Sequence, residues 1–251
     1  MTTMAIIPAR YASTRFPGKP LADIGGEPMI WHVYSAAARA FGRDATLVAT
    51  DDERICRAVT SRGGRAVVTP RPVDNGSARC LQALEITGER PDVIVNVQGD
   101  EPFIEPDDLT ALAACFADPD VEIATMARRF GTDESPDVLL SADNPKVVIS
   151  SDGNAMYFSR SVIPAVRGAS AMPVAGVDYF IHVGLYAFRA TTLRELMKLG
   201  STPLETAEKL EQLRWLESGY PIKVVLTRHR GVSVDTPADL ERARLLFDRL
   251  K

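Results

Sequence analysis

The stretch Asp92-Val93-Ile94-Val95-Asn96-Val97 decides the fold class of this 251-residue chain. It is a short, largely β-branched apolar run, which predicts a strand buried on both faces of a sheet. Similar runs alternate with helix-like stretches upstream of it. The predicted strands are 4–7, 45–50 and 65–68, and the predicted helices are 28–41, 53–62 (with Asp51 or Asp52 as N-cap) and 77–86. This alternation predicts an α/β fold, with a doubly wound and mostly parallel sheet covered by helices on both faces.

The pattern changes in the second half of the chain, after about Val121. Strands are predicted at 146–149, 182–189 and 222–227, and helices at 192–199 and 204–218. Residues within 182–189 alternate with a period of two, which predicts a half-buried strand. The last helix has a clear start, because Thr236 is a suitable N-cap and Pro237 suits the first helical position. We expect one domain over 1–251, in which 131–200 form an inserted subdomain.

Composition argues against several classes of function. Hydrophobic residues make up 45% and charged residues 25%, as in an ordinary globular protein. The net charge of −4 provides no basic field for nucleic acid or anionic membranes. Cys56, Cys80 and Cys115 are too widely spaced for a zinc site and suit a reducing compartment. The N-terminal apolar run is too short for a signal peptide. We therefore expect a cytoplasmic protein without nucleic-acid or membrane partners.

The segment Pro8–Pro20 follows the first predicted strand and is a candidate ligand site, because ligands of open α/β sheets bind beyond the carboxyl ends of the strands. It contains Arg10, Arg15 and Lys19, with no acidic residue before Asp23. Three cations in this position suit a polyphosphate, although a solvated basic loop would carry the same charges. The chain contains neither GxxxxGK[ST] nor GxGxxG, so the common phosphate-binding and dinucleotide-binding loops are excluded.

Two aspartates follow other predicted strands. Asp100, in the segment Gln98–Pro102, comes just after the strand at 92–97. It is suited to hold magnesium against phosphate oxygens, or simply to cap a turn. Asp235 follows a late strand and is either a second metal ligand or part of the capping run of the last helix. The residues alone leave both alternatives open.

The triplet Asp118-Pro119-Asp120 has the DxD pattern of many nucleotide-sugar glycosyltransferases. It follows a helix and has a central proline, so we interpret it as a turn. A glycosyltransferase would use this triplet to hold its metal and would release a free nucleotide without pyrophosphate. A non-catalytic nucleotide-binding regulator is a further alternative. Arg10, Lys19, Asp100 and Asp235 together argue against a regulator, because a sensor does not need all four.

Together these segments closely resemble the CMP-KDO synthetase (3-deoxy-manno-octulosonate cytidylyltransferase) family over essentially the whole chain. The first segment, IIPARYASTRFPGKP, and the later Leu-Glu-Gln-Leu-Arg are the most specific. Seven segments in order carry the resemblance: Ile6–Pro20, Asn96–Pro102, Lys146–Val148, Tyr157–Arg160, His182–Tyr186, Leu210–Arg214 and Val234–Pro237.

The resemblance implies a nucleotidyltransferase variant of the doubly wound fold, with a small inserted dimerisation subdomain and usually a homodimeric assembly. In this family the anomeric 2-hydroxyl of 3-deoxy-manno-octulosonate (KDO) attacks the α-phosphorus of CTP, in a reaction that depends on Mg²⁺. Pyrophosphate leaves, and CMP-KDO is the activated sugar for lipopolysaccharide biosynthesis.

The resemblance also implies roles for particular residues. Arg10, Arg15 and Lys19 would bind the triphosphate and, with Asp100, make up the catalytic set. Asp100 and Asp235 would bind magnesium. The nucleotide would further contact Ala9, Gly76, Ser77 and Arg79. The acceptor acid would contact Gln98, Arg160, His182, Tyr186, Glu211 and Gln212.

Several positions differ from the usual family pattern. The cytidine segment is Asn75-Gly76-Ser77-Ala78-Arg79, and Thr206 replaces a longer polar residue. Asn154 stands where a tyrosine is usual, and Arg128-Arg129 adds two cations. Because the segments for phosphate and metal are intact, these differences leave open another acid acceptor. The alternatives are an amino-substituted KDO and a small carboxylated phosphonate.

Overall fold

The computed structural model describes residues 1–12, 15–70, 72–73, 75–169 and 171–250, so Ser13 and Thr14 of the first family segment lie outside the described residues. The chain forms two compact units. The first unit comprises Met1–Ala114, Ala187–Met197 and Gly231–Lys251. The second unit comprises Cys115–Tyr186 and Lys198–Arg230.

Apart from an unpredicted pair of two-residue strands at 23–24 and 27–28, the strands and helices of the first hundred residues alternate in the order that the sequence predicts. The strands are β1 (Thr3–Ala9), β2 (Asp23–Ile24), β3 (Glu27–Pro28), β4 (Thr46–Thr50), β5 (Ala66–Val68), β6 (Val93–Asn96), β7 (Ile123–Arg129), β8 (Lys146–Ile149), β9 (Ala155–Ser159), β10 (Phe180–Arg189) and β11 (Ile222–Thr227). The α-helices are α1 (Met29–Phe41), α2 (Glu53–Thr60), α3 (Gly76–Thr87), α4 (Pro106–Ala114), α5 (Pro136–Leu140), α6 (Ala190–Leu196), α7 (Pro203–Glu208), α8 (Glu211–Glu217) and α9 (Pro237–Leu250). Short 3₁₀ helices lie at Lys19–Leu21 and Cys115–Ala117.

The first unit contains a parallel sheet in the order β5-β4-β1-β6. In its register Ala5 of β1 lies opposite Thr46 of β4 and Val95 of β6. Every residue of β4 and β6 is buried, as expected of apolar strands covered on both faces. The predicted α/β fold with a mostly parallel sheet is thereby confirmed.

The second unit combines parallel and antiparallel pairing. Strand β11 runs parallel to β7, whereas β8 pairs antiparallel with β9 and with the start of β10. The predicted strand at 182–189 is confirmed as part of β10, but the prediction that it is half-buried is wrong, because Leu185, Tyr186, Ala187 and Phe188 are all buried. These residues are apolar or aromatic at consecutive positions, so side chains on both faces of the strand are buried.

The prediction of one helix over 204–218 is also wrong, since two short helices occupy this stretch. Helix α7 starts with a capping box of Thr202 and Glu205 and ends at Lys209, whose backbone is left-handed (φ 53°). The N–H of Lys209 donates to the carbonyl of Glu205. Leu210 then enters the core before α8 begins. Tertiary contacts override a sequence that is compatible with one continuous helix.

The predicted start of the last helix is confirmed. Thr236 Oγ1 accepts a hydrogen bond from the N–H of Asp239, and Asp239 Oδ2 accepts one from the N–H of Thr236. The inserted subdomain at 131–200 stays a prediction; the bounds of the second unit differ from it, because 115–130 and 198–230 belong to that unit and 187–197 do not. Among the described helices, none has the length and apolar character needed to cross a membrane.

Candidate active site

A cavity of about 400 Å³ opens in the first unit where β1 and β6 end. The loops after these strands reach it because parallel strands present their carboxyl ends at one edge of the sheet. Nine of the residues singled out from the sequence line it: Ala9, Arg10, Arg15, Lys19, Gly76, Arg79, Gln98, Asp100 and Asp235. Ser77 is buried at the start of α3 next to them, within 3.4 Å of Asn96 Nδ2.

Lys19 joins the two candidate metal ligands. Its Nζ lies 2.7 Å from Asp100 Oδ2 and 3.1 Å from Asp235 Oδ1. Arg15 Nη2 lies 3.1 Å from the same oxygen of Asp235. The N–H of Val234 donates to the carbonyl of Asp100, which ties together the two segments that carry the aspartates. Cations and carboxylates that lie between 81 and 220 residues apart in the sequence therefore form one charged cluster.

The turn before Lys19 depends on Gly18. Gly18 has φ +73°, and a Cβ there would lie 3.1 Å from the hydroxyl of Tyr11. The N–H of Gly18 also donates to the carbonyl of Tyr11, which closes the loop. Because a left-handed backbone this near an aromatic ring suits only glycine, Gly18 fixes where the 3₁₀ turn points Lys19.

The two aspartates fit a divalent cation. Their oxygens already converge on one cationic atom, Lys19 Nζ. Magnesium typically takes one or two carboxylates and completes its shell with phosphate oxygens and water. Within the described residues there is no group of three or more acidic, histidine or cysteine side chains that could hold a metal alone. The arrangement thus suits a metal ion that arrives with a phosphate ligand.

Glu101 is a member of this cluster that the sequence reasoning missed. Desolvation, followed by the negative charges of Asp100 and Asp235, raises the pKa of its carboxyl to about 8, while Lys19 acts in the opposite sense. A Cβ on Gly231 would come within 3.0 Å of Glu101 Oε2, so that glycine permits the close approach of its segment. Glu101 lies in the segment 98–102, but the sequence could not show that its carboxyl leaves water.

Arg79 is held in place by two residues that the sequence reasoning also missed. Its side chain is buried; Nη1 donates to Thr69 Oγ1 at 2.6 Å and Nη2 lies 3.4 Å from Asp51 Oδ2. The other oxygen of Asp51 accepts from the N–H of Tyr11. Asp51 therefore links the loop after β1 to helix α3. Both residues follow strands of the sheet, which is the signal that could have identified them.

His182 belongs to a buried cluster in the second unit. Its Nε2 lies 2.9 Å from Thr125 Oγ1, and that hydroxyl donates its proton to the carbonyl of Leu185. Nε2 must therefore carry the hydrogen and donate to Oγ1. The ring packs against Phe158 and Tyr186. Burial lowers the pKa of His182 to about 3, so the ring is neutral at physiological pH.

The other residues assigned to the acceptor lie near these aromatic rings or on α8 and after β9. Tyr186 packs edge-on against Trp215, and burial followed by the charge of Glu211 raises its pKa well above the usual value. Gln212 is 3% exposed, and its Nε2 has no hydrogen-bond partner among the described residues. A buried, unpaired amide nitrogen costs free energy unless a ligand satisfies it. Arg160 follows β9, and its guanidinium donates to backbone carbonyls.

Two further groups of the sequence analysis have structural roles. Arg128 pairs with Glu134 at 2.7 Å, with both side chains largely buried, and Arg129 pairs with Asp178. Asp118 accepts from the N–H of Asp120, which confirms the interpretation of the DxD triplet as a turn.

Comparison with known proteins agrees with this geometry. The model of the family described as cytidylyltransferase matches residues 4–225. The 3-deoxy-manno-octulosonate cytidylyltransferase of Parabacteroides distasonis is 48% identical over 245 residues, which are 97% of each chain. The protein of that name from Bacteroides thetaiotaomicron is 49% identical, also over 97% of each chain. A solved structure of CMP:2-keto-3-deoxy-manno-octonic acid synthetase complexed with CTP superposes with a TM-score of 0.91, at 37% identity and complete coverage of both chains.

Proposed function

This chain belongs to the CMP-KDO synthetase (3-deoxy-manno-octulosonate cytidylyltransferase) family, and from that premise we propose that it transfers CMP from CTP to the 2-hydroxyl of KDO and releases pyrophosphate. The observation that carries the proposal is the cluster of Lys19, Arg15, Asp100 and Asp235 in one cavity at the carboxyl ends of parallel strands. Nucleotidyl transfer needs positioning and charge stabilisation more than covalent chemistry from the protein, and this cluster can supply both.

Arg10, Arg15 and Lys19 bind the triphosphate in this proposal. Lys19 and Arg15 are neutralised by aspartates in the structure, and phosphate oxygens would take over these contacts when CTP binds. Their charges would then stabilise the pyrophosphate that leaves. Ala9, Gly76, Ser77 and Arg79 hold the nucleoside part of CTP. Gly76, Ser77 and Arg79 form the first turn of α3, so a single helix end would fix three of these contacts.

Asp100 and Asp235 would hold Mg²⁺. When bound, the ion lowers the pKa of the acceptor hydroxyl and clamps phosphate oxygens. The chain itself keeps the two carboxylates converged, through the hydrogen bond from Val234 to Asp100, and supplies the cations that balance them.

The acceptor acid is bound by Gln98, Arg160, His182, Tyr186, Glu211 and Gln212 in this proposal. Support comes from the unpaired Nε2 of Gln212 and from the neutral ring of His182, which can accept at Nδ1 while Nε2 donates to Thr125. Arg160 would receive the carboxylate of the acceptor. Neutral hydrogen-bonding side chains together with one arginine suit a polyhydroxylated acid.

The setting of the reaction is part of the proposal. We place the enzyme in the cytoplasm as a homodimer that supplies CMP-KDO for lipopolysaccharide. Among the described residues Cys56, Cys80 and Cys115 form no disulfide, which supports a reducing compartment. The dimer rests on the family resemblance.

Pyrophosphate release from CTP and Mg²⁺ tests the function, with KDO, an amino-substituted KDO and a small carboxylated phosphonate as parallel acceptors. The proposal predicts fast release with KDO. Release with only one of the other acids would support the transfer of CMP from CTP but would show that KDO is not the acceptor. Free CMP without pyrophosphate would instead indicate a glycosyltransferase, and nucleotide binding without turnover would indicate a regulator.

A further inference from the structure

The backbone of Arg160 is held by two charged side chains of the second unit. Glu208 Oε2 accepts from the N–H of Arg160 at 2.9 Å, and Lys146 Nζ donates to its carbonyl at 2.5 Å. Glu208 Oε1 also accepts from Ser159 Oγ, and Lys146 Nζ also donates to the carbonyl of Ser141. Both polar groups of one peptide position are therefore fixed by ionic partners that bridge to neighbouring segments.

The guanidinium of Arg160 is bound in a different way. Nε donates to the carbonyl of Glu208 at 2.6 Å, Nη1 to that of Ala142 at 2.8 Å, and Nη2 to that of Lys209 at 3.3 Å. In the part of the chain that the structure describes, no carboxylate forms a salt bridge with this guanidinium. Since a guanidinium has five N–H donors, two remain for a ligand.

Two other arginines of the second unit lack this feature. Arg128 pairs with Glu134, and Arg214 donates to a carboxylate oxygen of Glu205 at 2.6 Å. Their charges are neutralised within the protein. Arg160 lies next to an acidic residue as well, but both carboxylate oxygens of Glu208 are turned to Ser159 Oγ and to a backbone N–H. The carboxylate orients the arginine without pairing with its charge.

Lys146 strengthens this interpretation because its burial is costly. The residue is 0% exposed, and its ammonium donates to two backbone carbonyls. Burial, and then the nearby charge of Arg160, lowers its pKa, while Glu208 acts in the opposite sense. A buried ammonium with carbonyl partners needs a compensating benefit. Fixing the carbonyl of Arg160 provides one.

The break between α7 and α8 completes the arrangement. Because Lys209 adopts a left-handed conformation, the helix stops, and the carbonyls of Glu208 and Lys209 become free to accept from Arg160. A continuous helix would have used these carbonyls in its own next turn. The break between α7 and α8, which the sequence did not predict, thus supplies two of the carbonyls that bind the guanidinium.

We propose that Lys146 and Glu208 are positioning residues for the acceptor, which fix Arg160 by its backbone and leave its charge free to bind the carboxylate of an acid substrate. This inference rests on the proposed function, because it names how the same acceptor is recognised. It adds two residues that touch no substrate. It also explains why Arg160 is held by carbonyls: they orient the guanidinium and leave its positive charge in place.

A double-mutant cycle with Glu208→Gln and Arg160→Gln tests the proposal. Glu208→Gln keeps the shape and one acceptor oxygen but offers an NH₂ group to the N–H of Arg160. We expect the KM for KDO to rise about tenfold, with kcat and the KM for CTP within about twofold. In the Arg160→Gln background the same substitution should change kcat/KM for KDO by less than about twofold. An equal effect in both backgrounds would show a merely structural role and overturn the proposal.

Lys146→Met is the second arm, and Glu217→Gln and Lys223→Met are the matched controls. Glu217 also accepts from a backbone N–H and Lys223 also donates to a backbone carbonyl, but neither contacts Arg160. The controls should leave the KM for KDO unchanged. If Lys146→Met does not fold, Ser159→Ala replaces it, because this variant removes one hydrogen bond to Glu208. Ser159→Ala should raise the KM for KDO about threefold when Arg160 is present and should have no effect in the Arg160→Gln background. No change would count against the proposal.

The acceptor specificity of the wild-type protein distinguishes a failure of the proposed function from a failure of the proposed positioning roles. If the protein turns over another carboxylated acceptor and not KDO, the proposed function is wrong in its acceptor, and the same cycle with that acid still decides the positioning roles. If it turns over KDO but the cycle is additive, the function stands and the inference fails. If it turns over no acid, both fail.

Discussion

The charged cluster in the first unit and the Arg160 arrangement in the second unit treat positive charge in opposite ways. In the first, Lys19 and Arg15 are paired with Asp100 and Asp235, so the charges balance before any ligand binds. In the second, Arg160 is surrounded by carbonyls and its charge stays uncompensated. A site that receives an anionic nucleotide together with a metal ion can start neutral. A site that receives a carboxylate alone needs a charge in excess.

This difference teaches how one protein can distinguish two anions. The first cluster exchanges its internal ion pairs for phosphate and metal contacts, so its affinity depends on both arriving. The second offers two guanidinium donors in a fixed direction, so its affinity depends on geometry. Changes in the two regions should therefore separate in kinetics, and the predictions below test that separation from the largest effect to the smallest.

Removing the metal ligands should have the largest effect. Asp100→Asn and Asp235→Asn keep the shape of the side chains but remove the charges that would hold Mg²⁺. We expect kcat/KM for CTP to fall about a thousandfold or more, because both binding and charge stabilisation are lost. Pyrophosphate release across a Mg²⁺ titration measures this effect. Asp107→Asn, which changes an exposed aspartate of α4 in the same unit, is the control. Near-normal activity in either variant would remove the basis for the metal site.

Replacing one cation in each region should separate the two substrates. Lys19→Gln should lower kcat/KM for CTP about a hundredfold, because one phosphate contact disappears, Asp100 loses its cationic partner and Asp235 keeps only Arg15. Arg160→Gln should raise the KM for the acceptor by a similar factor and leave the KM for CTP unchanged. Initial rates with each substrate varied in turn give both constants. If Arg160→Gln weakened CTP as much as Lys19→Gln does, the comparison of two independent regions would be wrong.

A backbone displacement in the first region should have a smaller effect, which we expect in kcat. A Cβ on Gly99 would lie 2.9 Å from the carbonyl oxygen of Pro8, a backbone atom of β1 that cannot turn away. Gly99→Ala should push the segment that carries Asp100 out of place and lower kcat about tenfold, since small misplacements of reacting groups are costly. Gly200→Ala has open space around it and is the control. Unchanged kcat with Gly99→Ala would show that the position of Asp100 is not critical.

The first region could be predicted from the sequence because its residues follow strands. Arg15, Lys19 and Asp100 lie in segments that follow predicted strands, and parallel strands bring such loops to one edge of the sheet. For Asp235 the sequence left two interpretations open, a metal ligand or part of the N-terminal cap of the last helix. Glu101 was missed because its pKa depends on burial and on two neighbouring charges, which no single position reveals.

The second region was harder for physical reasons. The strand at 182–189 was predicted as half-buried, but burial on both faces depends on which elements cover it. The helix break at Lys209 was missed because a lysine gives no local signal for a left-handed backbone, and tertiary contacts determine it. The roles of Lys146 and Glu208 depend on that break. The family resemblance identified Arg160 as a site residue, but the residues that contact it could be identified only from the structure.

The protonation state of His182 should have the smallest effect on activity. Burial disfavours the charged form of His182 and lowers its pKa to about 3, so the ring is neutral at pH values near and above 5. The KM for the acceptor should show no inflection near pH 6.5. Stability should respond, however. The unfolded histidine binds a proton below about pH 6.5 and the folded one does not, so protonation favours unfolding by about 1.4 kcal/mol per pH unit between pH 6.5 and the folded pKa.

His182→Gln separates this contribution from those of the carboxylates. The variant keeps a neutral donor for Thr125 Oγ1 and cannot be protonated. Chemical unfolding between pH 7.5 and 5 should therefore show a smaller loss of stability than in the wild type, by up to about 2 kcal/mol at pH 5. Equal losses in both proteins, or an acceptor KM that follows a pKa near 6.5, would mean that His182 is charged when the acceptor binds. The second region would then carry two positive groups, Arg160 and protonated His182. The excess of positive charge in that region would have to be attributed to both residues and no longer to Arg160 alone.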